Sequence, residues 1–182
     1  DHNLKTVKFG AYRGFLFASL SDDVPPLDEH LGGAKELLDL VWEQGPDGIE
    51  AIPGVSSYTY NANWKMQIEN CIDGYHLTSC HPSFMNIVSR RKAGESDNKQ
   101  VKSIDFNLMS QVKGGGYTFP RGHAVGFFDN PVPQERGLYQ HHDELVARVG
   151  EQKARWMYAG RNLTIYPNVQ FAENASLQMR VI

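Results

Sequence analysis

Apolar and polar positions follow two different periods along the chain, which divide it into strand-like and helix-like stretches. The alternating or aromatic-rich runs predict strands at residues 4–9, 12–20, 49–61, 101–110, 117–128, 162–171 and 175–182. After Gly33, apolar residues at i, i+3, i+4 and i+7 predict an amphipathic helix that ends at Gly45-Pro46. Similar periodicity predicts a helix from about Ala62 and another over residues 138–159.

This order of elements predicts an α+β fold with an antiparallel sheet, because strands and helices come in groups instead of alternating strictly. The sequence starts at Asp1, and its last apolar run stops at Ile182 without a turn signal. We therefore expect a fragment of a longer protein, in which further residues complete the sheet.

Glycine, proline and charge mark the segments between these elements. Lys113-Gly114-Gly115-Gly116 predicts a flexible turn, since it lacks the Lys-Ser/Thr ending of a phosphate loop. The charged run at residues 90–100 predicts a loop, placed where a lid is possible. Pro82 predicts the end of regular helix at His81.

Composition excludes several function classes. The 182 residues carry a net charge of −3, which gives no support for a nucleic-acid or acidic-membrane partner. No apolar run approaches the ~18 residues of a membrane span. Cys71 and Cys80 are too few for a disulfide framework, so we expect reduced thiols in a cytoplasmic protein.

Four ionisable residues crowd into thirteen positions of the helix predicted from Ala62: Glu69, Asp73, His76 and His81. Buried polar groups need partners, so this stretch is the best candidate for a binding site. Three apolar residues at four-residue intervals predict the face of the helix that packs on the core: Trp64, Ile68 and Ile72.

Two imidazoles five residues apart lie roughly 140° apart around a regular helix. His76 and His81 can therefore share a metal only if the helix is locally widened or unwound, and Gly74 and Pro82 bracket the segment where this can happen. Gly74 also indicates close backbone packing or a distortion. Two imidazoles and one carboxylate form the facial triad of non-haem Fe(II) oxygenases, and Asp73 is placed to orient His76.

The spacing of two histidines alone leaves alternatives open. Hydrogen-bonded helix histidines, a zinc hydrolase with a base near its metal-bound water, and a metal-free module that binds a hydrophobic ligand all remain compatible with it. For Glu69 a structural hydrogen bond is favoured over catalysis. His141 and His142 are predicted to be a solvated surface pair, and His123 lies in an aromatic strand from which it can reach a cavity.

The motifs of this stretch resemble those of the large (alpha) subunit of Rieske-type aromatic-ring-hydroxylating dioxygenases. They are Asn63-Trp64-Lys65, Glu69-Asn70, Asp73-Gly74-Tyr75-His76 and His81. Residues 12–17 resemble the exit from the Rieske domain of the family, and residues 161–168 resemble a later core strand. The resemblance is nearest to the benzoate, anthranilate and halobenzoate branch.

This resemblance implies a helix-grip-like catalytic domain, with a curved antiparallel sheet packed on helices, that holds mononuclear Fe(2+). His76 and His81 would be metal ligands, and the third ligand, an Asp, would lie beyond Ile182. Asp73 would be the electron-transfer bridge to the Rieske-cluster ligand of a neighbouring subunit. The register of the motif implies four substrate-pocket residues, of which the last three have core packing as an equal alternative: Asn70, Cys71, Leu77 and Met85.

The Cys-x-His and Cys-x-x-His motifs of a Rieske [2Fe-2S] cluster are absent from the sequence. The resemblance therefore implies that residues 1–20 are strands at the exit of a missing N-terminal Rieske domain and that residues 21–182 are a partial catalytic domain. We expect this part alone to be inactive. The implied partners are a beta subunit and other alpha subunits, in an alpha3 or alpha3beta3 assembly, with a reductase and a ferredoxin.

The implied reaction adds both atoms of O2 to an aromatic carboxylic acid, with electrons from NAD(P)H, and gives a cis-dihydrodiol in aromatic hydrocarbon catabolism. The substrate carboxylate would need a cation nearby. The sequence offers four candidates and does not choose among them: Arg90, Arg91, Arg121 and Arg161.

Overall fold

The computed structural model describes residues 4–93, 111–173 and 177–182. Its strands are β1 (Lys8–Tyr12), β2 (Phe15–Ser19), β3 (Gly114–Thr118), β4 (Ala124–Phe128), β5 (Gly160–Ile165), β6 (Val169–Glu173) and β7 (Leu177–Val181). Its helices are α1 (Leu27–Leu31), α2 (Ala34–Trp42), α3 (Trp64–Ile72), α4 (His76–Cys80), α5 (Pro82–Ala93), α6 (His142–Val149) and α7 (Glu151–Tyr158). No helix among the described residues is both long and apolar enough to cross a bilayer.

Five strands form one antiparallel sheet in the order β3-β4-β5-β6-β7, and β1 and β2 form a separate hairpin. Each strand of the sheet pairs with its neighbour in sequence. Helices and antiparallel strands together confirm the predicted α+β class.

The two faces of the sheet differ in chemistry because successive side chains of a strand point to opposite sides. On one side, here called the core face, Leu163, Ile165 and Phe171 pack against α1 and α2 in one buried cluster. On the other side, here called the α3 face, Thr164 and Gln170 are fully buried cross-strand partners. The Gln170 amide donates to the Gln67 carbonyl at 2.6 Å, so α3 covers this face.

The β1–β2 hairpin closes over the core face. The ring of Phe15 meets Phe171 edge-on with centroids 5.2 Å apart, and the Tyr12 hydroxyl donates to Asp39 of α2 at 3.0 Å. The hairpin therefore shares its core with the sheet. The domain boundary expected at residue 20 stays a prediction.

A buried ion pair lies at the end of β5 and β6. The guanidinium of Arg161 donates to the carboxylate of Glu173, and both residues are at least 96% buried. The side-chain amide of Gln44 donates to the other carboxylate oxygen. The two hydrogen bonds to Glu173 connect the segment just after α2 to the core face of the sheet.

The helix predicted over residues 138–159 is two helices, α6 and α7, separated at Gly150. Gly150 has a φ of 83°, a left-handed conformation that glycine adopts without strain. Leu145 on α6 and Met157 on α7 both reach a second buried cluster, whereas Trp156 stays partly exposed and contacts Phe127.

Three predictions of local structure are wrong. Residues 49–61 form no regular strand, and Ile52 and Val55 are at least 90% exposed. High β propensity does not produce a strand here, because no strand among the described residues pairs with this segment. Gly114–Gly116 belong to β3 instead of a turn, since they pair with residues 126–128 of β4. Residues 90–93 belong to α5; the rest of the predicted 90–100 loop, from residue 94, and the 101–110 strand lie outside the described residues.

Two predicted strands are split by turns. The strand predicted over residues 117–128 is interrupted at Pro120–Gly122, where Arg121 has a φ of 68°. The strand predicted over residues 162–171 is interrupted at residues 166–168, so that β5 and β6 form a hairpin. The helix predicted after Gly33 is present as α2.

Candidate metal centre

α3 begins where the sequence supplies a cap and an apolar stripe. The side chain of Asn63 accepts a hydrogen bond from the backbone N–H of Lys65 at 3.0 Å, which satisfies one of the unpaired donors at the start of the helix. Ile68 of the predicted stripe is buried, and Ile72 is partly buried. Trp64 is 39% exposed, and its ring contacts the ring of Tyr166 at the edge of the sheet.

The end of α3 lies directly on the backbone of β4. A Cβ at Gly126 would be 3.2 Å from the carbonyl oxygen of Ile72 and 3.4 Å from its Cα. A glycine at this position therefore lets the last turn of α3 approach the sheet more closely than any other residue would.

The helix unwinds between Ile72 and His76. Asp73 has extended backbone (φ −86°, ψ 113°), although its N–H still donates to the carbonyl of Glu69. One carboxylate oxygen of Asp73 accepts from the N–H of Tyr75 at 2.8 Å, which holds the break. Within the segment from Gly74 to Pro82, where local unwinding is one of two predicted possibilities, the chain is non-helical at residues 74–75 and again at His81. Gly74 lies in the break, and a Cβ there would contact nothing within 4 Å, so close packing does not explain it.

The two predicted imidazoles meet because α4 ends at Cys80 and leaves His81 outside the helix, with the two ring planes inclined at 66°. Nε2 of His76 lies 3.1 Å from Nε2 of His81. Nδ1 of His76 lies 3.1 Å from Oδ2 of Asp73. Because a carboxylate can only accept, Nδ1 carries the hydrogen and the lone pair of His76 is on Nε2, on the side of His81.

This pair has the chemistry and the separation of two ligands of one metal ion. Two imidazole nitrogens that each lie about 2.0–2.1 Å from an ion can be no more than roughly 4.2 Å apart, and these are 3.1 Å apart. The amide of Asn70 also donates toward Nε2 of His76, at 3.1 Å, and a metal would have to displace this contact. Within residues 4–93, 111–173 and 177–182, no three His, Cys, Asp or Glu side chains converge as a metal-binding group.

Two of the other predicted pocket residues, Cys71 and Met85, lie on the helices that precede and follow α4. Cys71 is buried between α3 and β5; burial raises the pKa of its thiol, while the Thr164 hydroxyl and the charge of Arg180 oppose that shift. Met85 of α5 is half-buried, and its N–H donates to the carbonyl of His81 at 3.1 Å. The side chain of Leu77 lies outside the described residues. Their role in a substrate pocket stays a prediction.

Two further histidines, His123 and His142, serve packing. His123 is fully buried, donates from Nε2 to the carbonyl of His30 at 2.7 Å, and accepts at Nδ1 from the N–H of Tyr166 at 3.0 Å. His142 stacks on Tyr139 with centroids 4.5 Å apart, so the predicted surface pair is half wrong. His141 is exposed as predicted.

Two of the predicted arginines are held by carboxylates away from the histidine pair. Arg121 pairs with Glu29 of α1, and Arg161 pairs with Glu173 on the core face. Arg180, which no sequence pattern singled out, pairs in register with Gln170 on the α3 face. The alternation of side chains along β7 places Arg180 and Met179 on opposite faces of the sheet. The register of β6 and β7 then shows that Arg180 is on the same face as Gln170.

Comparison with known families matches residues 50–182 to the family described as ring hydroxylating alpha subunit (catalytic domain). Over its whole length the chain is 41% identical to the 2-halobenzoate 1,2-dioxygenase large subunit of Burkholderia cepacia. It is 37% identical to toluate 1,2-dioxygenase subunit alpha of Pseudomonas putida and 36% identical to an anthranilate 1,2-dioxygenase large subunit of Acinetobacter baylyi, again over its whole length. The chain spans only about two fifths of these relatives, from 39% to 41% of their lengths.

Solved structures agree on the fold. Naphthalene 1,2-dioxygenase with indole bound matches 96% of this chain and 43% of its own with a TM-score of 0.60 at 20% identity. The Rhodococcus sp. enzyme bound to indole matches 94% of this chain and 39% of its own with a TM-score of 0.62 at 20% identity. The motifs around the histidine pair, the family match and the whole-length relatives lead to one conclusion: the chain belongs to the catalytic-domain family of aromatic-ring-hydroxylating dioxygenase alpha subunits.

Proposed function

We propose that this chain is the iron-binding part of an alpha subunit that dihydroxylates an aromatic carboxylic acid. The observation that carries the proposal is the 3.1 Å separation between Nε2 of His76 and Nε2 of His81. The names of the relatives support the substrate class, because 2-halobenzoate, toluate and anthranilate are all aromatic carboxylates.

His76 and His81 would hold the mononuclear Fe(2+), and an Asp beyond Ile182 would complete the ligand set. When bound, iron at two imidazoles and one carboxylate supplies open positions for chemistry with dioxygen. The chain itself orients the ligands: Asp73 holds the imidazole of His76 through Nδ1 and thereby keeps the Nε2 lone pair available. The product class is a cis-dihydrodiol.

Asp73 also suits the role of a bridge to a second redox centre. Its side chain is 42% exposed, and a carboxylate has about four acceptor positions, of which the Tyr75 N–H and His76 use two. A Rieske-cluster ligand of a neighbouring alpha subunit could therefore donate to the same carboxylate. We place the [2Fe-2S] cluster in a domain outside this chain, with electrons from NAD(P)H supplied by a reductase and a ferredoxin, and a beta subunit in the assembly.

Metal analysis of the intact subunit tests this proposal. We expect one mononuclear iron and one [2Fe-2S] cluster per subunit, together with incorporation of both atoms of labelled O2 into benzoate. Zinc alone, or no metal at any site, would overturn it.

The main alternative is a metal-free module that binds a hydrophobic ligand. It predicts that His76→Ala leaves affinity for an aromatic ligand intact and that purified protein contains no iron. Loss of iron in His76→Ala, with the fold retained by circular dichroism, would exclude this alternative.

A further inference from the structure

One row of side chains crosses the sheet beneath α3. The register aligns Thr164 of β5 with Gln170 of β6, and Gln170 with Arg180 of β7. Directly opposed residues on neighbouring antiparallel strands point to the same side, with Cβ atoms about 4.5–5.5 Å apart. Because the Gln170 amide reaches the carbonyl of Gln67, this row faces α3, and Arg180 is its third member.

The row approaches α3 at the turn that precedes the histidine pair. Thr164 lies against Cys71, and the positive charge of Arg180 also acts on the Cys71 thiol, where it opposes the effect of burial on the pKa. Asn70, the neighbour of Cys71, contacts Nε2 of His76 at 3.1 Å. Arg180 is thus a cation on the same side of the sheet as the two imidazoles, close to the turn of α3 that contacts them.

Position distinguishes Arg180 from Arg121 and Arg161, which lie on other parts of the fold. Arg121 is paired with Glu29 at the edge of α1, and Arg161 is buried with Glu173 on the core face. A guanidinium presents two parallel N–H groups that match the two oxygens of a carboxylate, and a strand position gives it a fixed base. The side chain of Arg180 is exposed on this face, so a small molecule can reach it.

We propose that Arg180 binds the carboxylate of the aromatic substrate and makes the site specific for aromatic acids over neutral arenes. This assignment rests on the proposed function, since it concerns the substrate of the same site. Arg180 acts on specificity: it anchors the acid group while the ring extends from it toward the side of His76 and His81.

The test compares Arg180→Gln and Arg180→Lys in the intact subunit, with Arg155→Gln as the matched control. Arg155 is 69% exposed and pairs with Asp129, so its substitution removes the same charge elsewhere on the surface. The dissociation constant of benzoate is measured by anaerobic titration calorimetry, and kcat/KM is measured for benzoate and for toluene. Hydrogen bonds to charged groups predict that Arg180→Gln weakens binding and kcat/KM for benzoate by about 10- to 100-fold.

Toluene separates a substrate contact from a structural role. We expect its kcat/KM to stay within about 3-fold in both Arg180 variants, with Arg180→Lys intermediate for benzoate because a lysine keeps the charge but not the paired donors. Equal losses for benzoate and toluene, or unchanged benzoate binding in Arg180→Gln, would overturn the assignment.

The calorimetry keeps this inference distinct from the proposed function. If the unchanged subunit binds benzoate, and Arg180→Gln weakens that binding without any oxidation being detectable, the assignment of Arg180 is supported and the dioxygenase proposal fails. If the unchanged subunit oxidises benzoate and Arg180→Gln does so equally well, the dioxygenase proposal stands and the assignment fails.

Discussion

Nε2 of His76 lies 3.1 Å from Nε2 of His81, although a regular helix would turn these residues roughly 140° away from each other. The chain leaves the helix before His81, since α4 ends at Cys80 and His81 lies between α4 and α5. An earlier break, after Ile72, places the Asp73 carboxylate beside Nδ1 of His76. Two interruptions of the helix therefore set the positions of the two imidazoles and of the carboxylate that holds one of them.

Removal of either imidazole should abolish iron binding. For His81→Ala in the intact subunit we expect iron content, measured by elemental analysis after dialysis, to fall at least about 10-fold, because even residues that only orient a ligand change metal affinity 10- to 100-fold. His141→Ala is the control, since His141 is exposed and its Nδ1 lies 3.5 Å from Oε2 of Glu144, away from the histidine pair. Full iron loading of His81→Ala would remove His81 from the ligand set.

Neutralising Asp73 should separate iron binding from turnover. In Asp73→Asn we expect iron to be retained when it is supplied in excess, while turnover of benzoate falls by about 100-fold, because the amide no longer stabilises positive charge on the His76 imidazole. Asp143→Asn, at an exposed position of α6, should change neither quantity. Normal turnover by Asp73→Asn would refute the bridging role.

Because α3 approaches β4 closely, alanine substitution should have very different effects on stability at two glycines that are partners in the sheet. Gly126→Ala should lower the free energy of unfolding by about 1–3 kcal/mol and weaken iron binding, because the added methyl group pushes against Ile72. At Gly116, the partner of Gly126 in β3, a Cβ would meet only the Val125 carbonyl at 3.6 Å, an ordinary contact. Urea denaturation that shows equal stability for Gly126→Ala and Gly116→Ala would contradict this account of the glycine.

Removing one charge of the buried pair of Arg161 and Glu173 should lower the free energy of unfolding. Glu173→Gln leaves the guanidinium of Arg161 without its buried counter-charge, and we expect a loss of about 3–5 kcal/mol in the free energy of unfolding. The exposed pair of Arg155 and Asp129 provides the comparison, since Asp129→Asn should cost no more than about 1 kcal/mol. Similar denaturation midpoints for the two variants would show that the Arg161 charge is compensated by other groups.

His123 should make the fold less stable in mild acid. Burial holds the pKa of its imidazole below the ordinary 6.5, so below that pH the unfolded chain takes up a proton that the folded chain does not. The free energy of unfolding should therefore fall as the pH decreases from 6.5 toward the folded-state pKa, with a slope of at most about 1.4 kcal/mol per pH unit.

Urea denaturation between pH 7.5 and 5.5 checks this effect of His123. In His123→Gln the decrease should be smaller than in the unchanged protein by the contribution of one site, whereas His141→Gln, at an exposed position, should keep the full decrease. An unchanged slope in His123→Gln would assign the acid sensitivity to other groups.

The sequence was sufficient for features that rest on local chemistry. The apolar period of α2, the end of α4 before His81 and the neighbouring position of Asp73 all follow from residues close to one another in the chain. Features that depend on long-range pairing could not be predicted this way. Gly114 and its neighbours form a strand because β4 pairs with them, whereas no strand in the described part of the chain pairs with residues 49–61.

The position of Arg180 also depends on long-range strand pairing. Its spacing from Met179 and Val181 was readable from the sequence, but its place beside Gln170 depends on the register of two strands joined by a turn. For that reason the sequence alone indicated four other arginines. Two of these, Arg121 and Arg161, are paired with carboxylates on other parts of the fold.

The alternation of the sheet gives its positions a different tolerance of substitution. Leu163, Ile165 and Phe171 are buried in the core cluster, whereas Thr164, Gln170 and Arg180 lie on the opposite side, which α3 covers at Gln170. Of these three, Thr164 and Gln170 are fully buried, while Arg180 is exposed. The chain can therefore change position 180 at little cost to the packing that holds the sheet together.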